Sequence, residues 1–148
     1  MFFYGKGALK SDLESLANDL QVAKRVHILD AVNCVPEKLS AAKLFVLPSD
    51  YEGMPNTLIE AMAAGVPCVS TDCPCGGPKT MIEDGKDGLL VPVGDEKALA
   101  DAMLRVLSDG EFAATLGKNA RQKAEKVFAP DAVFNEWENF LTDKVNGR

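Results

Sequence analysis

Apolar residues alternate between two rhythms along this chain. Short continuous runs at 1–5, 26–29, 44–47, 68–70 and 88–91 read as strands, that at 44–47 as a buried one. Between them, apolar positions recur at helical spacing, as in Leu9, Leu13, Leu16, Ala17 and Leu20. Further helices are expected at 36–42, at 78–82, and over 95–107, 112–127 and 130–144. Pro36 suits a first helical turn. Another helix, capped by Asn56 or Thr57, runs to Ala64 and is stopped by Gly65. Gly110 and Ala129-Pro130 punctuate helices and are not domain linkers. Strands alternating with helices imply parallel pairing through helical crossovers. The expected fold class is α/β, a Rossmann-like parallel sheet flanked by helices, and the 148 residues suit one domain.

Candidate chemistry concentrates in Glu52-Gly53-Met54-Pro55-Asn56-Thr57-Leu58-Ile59-Glu60, which follows the apolar run Leu44-Phe45-Val46-Leu47. Strand, loop and helix in that order put both acids at the carboxyl end of a strand, where open α/β sheets bind ligands. Glu60 is the only charged residue between Glu52 and Asp72. Burying a carboxylate on an apolar helix is costly unless something pairs with it, so Glu60 is expected to meet a ligand. Glycine at 53 allows close backbone approach. The N–H groups of Met54, Asn56, Thr57 and Leu58 lie at or near a helix start and suit phosphate or sugar oxygens. Pro55 has no N–H and can only shape the loop.

The segment Pro48-Ser49-Asp50-Tyr51-Glu52-Gly53, continued by Glu60-Ala61-Met62-Ala63-Ala64-Gly65-Val66-Pro67, resembles the retaining family-4 glycosyltransferases. The resemblance extends through Ser70-Thr71-Asp72, Gly76-Gly77-Pro78 and Asp87-Gly88-Leu89-Leu90-Val91-Pro92. It implies the C-terminal, donor-binding half of a two-domain GT-B enzyme, lacking the first βα unit and the N-terminal acceptor domain. The 70–78 stretch looks most like capsule and exopolysaccharide members. By resemblance, Glu52 faces the donor sugar as the catalytic-site acid, and Glu60 accepts from both ribose hydroxyls. Gly53, Met54, Asn56, Thr57 and Leu58 would line the diphosphate and sugar. The loop Ala31-Val32-Asn33 would meet the base, with Val32 as the contact, although the family's glycine is Asp30 here. Gly76-Gly77 would add a backbone nest. Lys79 and Thr80 stand where the family commonly has a glutamate, so no side-chain role is carried over there.

The implied reaction moves a hexose or N-acetylhexosamine from a nucleotide sugar to a glycan or lipid-linked acceptor, the acceptor being held by the missing half. The alternative is a non-catalytic nucleotide-sugar-binding module. A dehydrogenase is disfavoured, because Gly5-Lys6-Gly7 is not followed by the third glycine of a dinucleotide fingerprint. No cofactor and no metal are expected: the sequence has no Asp-x-Asp, and Cys73-Pro74-Cys75 is not metal-ligand spacing. The net charge of −6 argues against nucleic acid. No run approaches the roughly 18–20 apolar residues of a membrane span, no membrane contact is expected for this domain, and no signal peptide is visible. A cytoplasmic location is expected, with the whole enzyme at most peripheral at the inner membrane face. The four cysteines are expected to be free thiols. His27 is expected to be packed within its strand, and Trp137 and Phe140 to lie in the core.

Overall fold

The computed structural model describes residues 1–32 and 34–146. Two compact units divide the chain, Met1–Val35 and Pro36–Arg148. In the first, β1 (Phe2–Tyr4) and β2 (His27–Leu29) pair in parallel, with Phe2 opposite His27 and Tyr4 opposite Leu29. Helix α1 (Lys10–Asp19) is the crossover. Its leucine stripe forms as expected, yet only Ala17 is buried, and Leu9, Leu13, Leu16 and Leu20 remain exposed. His27 is on an exposed face, stacked on the Phe2 ring at 4.8 Å. A cleft of about 400 Å³ in this unit is lined by Glu14, Ala17, Asn18 and His27 among others. The short helix α2 (Val35–Leu39) follows in sequence.

In the second unit, β3 (Phe45–Leu47), β4 (Cys68–Thr71) and β5 (Leu89–Val91) form a parallel sheet in the order β3-β4-β5. Val46 lies opposite Val69, and Ser70 opposite Leu90. All four residues of central β4 are buried, as a strand covered on both faces requires. Val69, Leu89, Val91, Val106 and Leu116 make one core cluster, with Leu44 and Phe112 packed against it.

The helices of this unit are α3 (Asn56–Ala63), α4 (Gly77–Met81), α5 (Glu96–Ser108), α6 (Gly110–Lys123) and α7 (Pro130–Val145). Asp95 caps α5 by accepting from the Ala98 N–H, and Asp109 caps α6 by accepting from Phe112. Because Asp109 also ends α5, the two helices abut with no loop between them. A widened turn, Ala124–Phe128, carries α6 towards α7, whose first turn opens on Pro130.

Trp137 and Phe140 are not in the core. They form an edge-to-face pair at 5.9 Å, but are 58% and 51% exposed. No described residue of α7 is buried. Helical periodicity predicts an apolar stripe, but not that another element of the same chain covers it.

Helix α3 ends as its sequence predicts. Gly65 adopts φ +73°, the Gly65 N–H bonds to Met62 O, and the Val66 N–H reaches back to Ala61 O. That paired closure needs a residue free to be left-handed. The turn also abuts α6: a Cβ on Gly117 would meet the Gly65 carbonyl inside van der Waals contact.

Candidate functional site

The candidate site is built on the carboxyl ends of two neighbouring strands. After β3 the chain passes through Pro48, Ser49 and Glu52 into α3; after β4 it passes through Asp72, Cys73 and Cys75 into α4. Thr71 Oγ1 donates to the Ser49 carbonyl, and Cys73 Sγ donates to the same oxygen at 3.0 Å. Cys75 Sγ donates to the Glu52 carbonyl at 3.1 Å. Gly77 completes the clasp, because a Cβ there would stand 2.7 Å from the Gly53 carbonyl carbon and 2.9 Å from Glu52 O. Only a residue without a side chain lets these two backbones meet. Of the Gly76-Gly77 pair, Gly77 makes a specific backbone contact with the acidic loop. Gly76 itself is left-handed at φ +77° and opens α4.

Glu52 is half-buried, and its Oε1 accepts from Ser49 Oγ at 2.8 Å. Gly53 and Met54 are exposed beside it. Helix α3 starts differently from the sequence expectation. Pro55 occupies the cap position and no side chain, neither Asn56 nor Thr57, bonds back to the helix start. Pro55 contributes its carbonyl instead, accepting from Leu58 N at 3.0 Å and Ile59 N at 3.4 Å. Leu58 is fully buried in the core. Among the described residues no acceptor meets the N–H groups of Met54, Asn56 or Thr57. The loop therefore presents free donors beside a restrained carboxylate, at the positive end of an eight-residue helix.

Glu60 is on the exposed side of α3, opposed in kind to buried Leu58, Ala61 and Met62. The expected burial cost does not apply to it. An apolar sequence neighbourhood did not mean an apolar surrounding, because the helix turns this position towards solvent. Val32 lies in the first unit, in the loop after β2, and Asn33 lies outside the described residues.

Two features were not singled out from the sequence. Asp72 pairs with Lys79 at 2.9 Å, and this hydrogen bond holds the Lys79 ammonium above its ordinary range. Asp87, inside the Asp87-Gly88-Leu89 motif, is buried and structural. Its Oδ1 accepts from Glu83 N at 2.7 Å, and its Oδ2 meets Lys123 Nζ at 3.0 Å, tying the turn before β5 to α6. Burial, and secondarily the Asp87 charge, pushes the Cys68 thiol up to about 12. All four cysteines are free thiols, with Cys68 and Cys73 buried and Cys34 and Cys75 exposed. Among the described residues no helix is long and apolar enough to cross a membrane, and no acid, histidine and cysteine cluster could hold a metal ion.

The comparisons with known proteins agree with this architecture. The family model for glycosyl transferases group 1 matches residues 1–109. An exopolysaccharide phosphotransferase of Streptomyces coelicolor is 36% identical over 98% of this chain, which spans 15% of that protein. The N-acetyl-alpha-D-glucosaminyl L-malate synthase of Bacillus anthracis is 31% identical over 100% of this chain, which spans 39% of that protein. The S. aureus TarM structure in complex with UDP superposes with a TM-score of 0.85 at 28% identity, covering 93% of this chain and 28% of that one. The chain thus spans well under half the length of these relatives. Parallel β-α units in this order are the Rossmann-like fold of GT-B glycosyltransferases. On the sequence match and the fold together, the chain belongs to the glycosyl transferases group 1 family.

Proposed function

We propose that this chain is the donor-binding part of a retaining, family-4-type glycosyltransferase. It takes a hexose or N-acetylhexosamine from a nucleotide sugar and, with an acceptor domain on the rest of a two-domain protein, passes it to a glycan or lipid-linked acceptor. The observation that carries this reading is the clasped 49–53 loop, where a restrained, half-buried Glu52 stands beside free N–H groups at the start of α3. Glu52 accepts hydrogen bonds from the sugar hydroxyls. Gly53, Met54, Asn56 and Thr57 offer backbone donors to the diphosphate, which develops charge as it leaves. Exposed Glu60 is open to accept from two neighbouring ribose hydroxyls, as one carboxylate can. Attack on the sugar comes from the face that the leaving group departs, which retains configuration. Binding needs no metal in this reading, because N–H donors and the helix dipole take the place of an ion. The enzyme works in the cytoplasm on capsule- or exopolysaccharide-type products. Phosphotransfer is not carried over from the Streptomyces protein, of which the chain covers 15%.

Calorimetry of UDP and UDP-sugars against the 148-residue chain tests the reading, with and without a chelator. Micromolar to millimolar binding that is indifferent to chelation is expected. Glu60→Gln should weaken nucleotide binding by roughly 1–3 kcal/mol, the worth of a hydrogen bond to a charged group. Unchanged affinity would remove the ribose role. A radiolabelled transfer assay on this chain, beside a longer protein carrying both domains, separates enzyme from binding module. Turnover is expected only from the longer protein, since positioning can supply about 7–11 kcal/mol of the barrier. No turnover from either would favour the binding module.

A further inference from the structure

A carboxylate that is to accept from a ligand works best when its orientation is set before the ligand arrives. The backbone of Glu52 is set by two contacts from the next strand end, the Cys75 thiol on its carbonyl and the bare backbone of Gly77. Those contacts fix where the side chain begins. Three rotatable bonds then separate the Cα from the carboxylate oxygens; the first two have three staggered wells each, and the third is broad. Ser49 restrains that remaining freedom by donating its hydroxyl to Oε1 at 2.8 Å. Among the described residues no other side chain bonds to this carboxylate or pairs with it. The hydroxyl occupies one oxygen and leaves the other to accept from a ligand.

Ser49 is itself held from outside the acidic loop. Its carbonyl receives two donors, Thr71 Oγ1 and Cys73 Sγ, from residues only 4% and 2% exposed. Both donors sit on β4 or just after it, so the central strand sets the position of the serine, and the serine sets that of the acid. We propose that Ser49 is the positioning residue for Glu52: it fixes the carboxylate that engages the donor sugar without touching the sugar itself. The proposal rests on the reading of Glu52 as an acceptor for sugar hydroxyls. A serine serving only as turn chemistry would support the fold and the whole site alike. A positioning serine affects the sugar and spares the nucleotide.

The test compares wild type with Ser49→Ala, Ser49→Thr and Glu52→Gln in the 148-residue chain. Scalar couplings of the Glu52 side chain are measured first by NMR, without ligand. One rotamer is expected in wild type and Ser49→Thr, and rotamer averaging in Ser49→Ala; unchanged couplings in Ser49→Ala overturn the proposal. Calorimetry then compares UDP with UDP-N-acetylglucosamine. Wild type should gain affinity from the sugar. Ser49→Ala and Glu52→Gln should lose most of that gain, several-fold, with UDP affinity and melting temperature unchanged, and Ser49→Thr should keep it. If Ser49→Ala lowers UDP affinity and the melting temperature together, the role is structural and the proposal fails. If the sugar brings no gain even in wild type, the donor-sugar reading of Glu52 fails, and the couplings alone decide whether Ser49 orders the carboxylate.

Discussion

Replacing Gly77 by alanine puts a methyl group in place of a hydrogen at the tightest backbone meeting of the site. The new Cβ would stand 2.7 Å from the Gly53 carbonyl carbon and 2.9 Å from the Glu52 carbonyl oxygen, with the Gly53 oxygen closer still. Real Cβ atoms keep at least 3.0 Å from such neighbours. The obstructing atoms are main chain, so no side chain can rotate away. The 49–53 loop and the start of α4 must separate by on the order of 1 Å, a displacement that can cost about 100-fold where geometry matters. Overpacking of this kind costs roughly 1–3 kcal/mol in stability. At about 2–4 °C per kcal/mol for a chain of this size, the melting temperature should fall by about 2–12 °C. Opening the clasp also moves the Glu52 carbonyl off the Cys75 thiol, so UDP-sugar affinity should fall about 10- to 100-fold. Gly110→Ala is the control, because a Cβ there meets nothing within 4 Å, its φ is not left-handed, and it opens α6 outside the candidate site. Differential scanning fluorimetry and calorimetry on the two variants decide the matter. A Gly77→Ala protein that melts and binds like wild type would refute the clasp as the structure draws it.

Four other outcomes follow from buried charge, buried thiols and exposed aromatics. Lys123→Met should cost about 3 kcal/mol by urea unfolding, because Asp87 is left buried without its cation. Asp87→Asn should cost less, about 1 kcal/mol, because Lys123 is a quarter exposed and can turn to water; equal costs would contradict this. Maleimide should label Cys34 and Cys75 in the folded protein, and Cys68 and Cys73 only after unfolding. The Cys68 proton is held to about 12 in the folded chain, against 9.0 as the ordinary value. Stability linked to it is complete below pH 9 and is lost as pH rises towards 12, by about 1.4 kcal/mol per unit. Wild type should therefore weaken more than Cys68→Ala between pH 8 and pH 10.5 in urea titrations, and parallel curves would refute the burial argument. Trp137, the single tryptophan, should emit at long wavelength and be readily quenched by acrylamide, since it is 58% exposed. A shielded tryptophan would restore the core reading.

Much of the fold was legible because local signals agreed with tertiary ones. Strand and helix positions follow from the two apolar rhythms, Gly65 marks the end of α3, and Ala129-Pro130 marks the start of α7. What failed needed knowledge of neighbours. The periodicity of α1 and α7 could not say that their apolar faces would stay uncovered. The apolar sequence around Glu60 could not show that its own position faces water. At the site, the acidic residues and their loop were visible, because spacing alone places them at a strand end. The clasp was not visible. It joins residues 22 to 24 positions apart, through thiols and a hydroxyl that are ordinary in sequence and specific only in space. Asp87 stayed hidden for the same reason, since its cation arrives from α6.

The unequal burial of the two units has a consequence for how backbone amides exchange with solvent. In the first unit, Ala17 is the one buried hydrophobic residue among those described, and its sheet is two strands of three residues. Pieces below about 40 residues seldom bury enough apolar surface to hold themselves closed. Opening free energies there should be a small fraction of the global value, so the amides of β1 and β2 should exchange within the dead time or the first minutes. The amides of β4, buried along its whole length and hydrogen-bonded on both sides, should exchange only through global unfolding. Ser49 takes its two restraining bonds from Thr71 and Cys73, at and just after the end of that strand. The candidate site is thereby moored to what should be the last part of the protein to open.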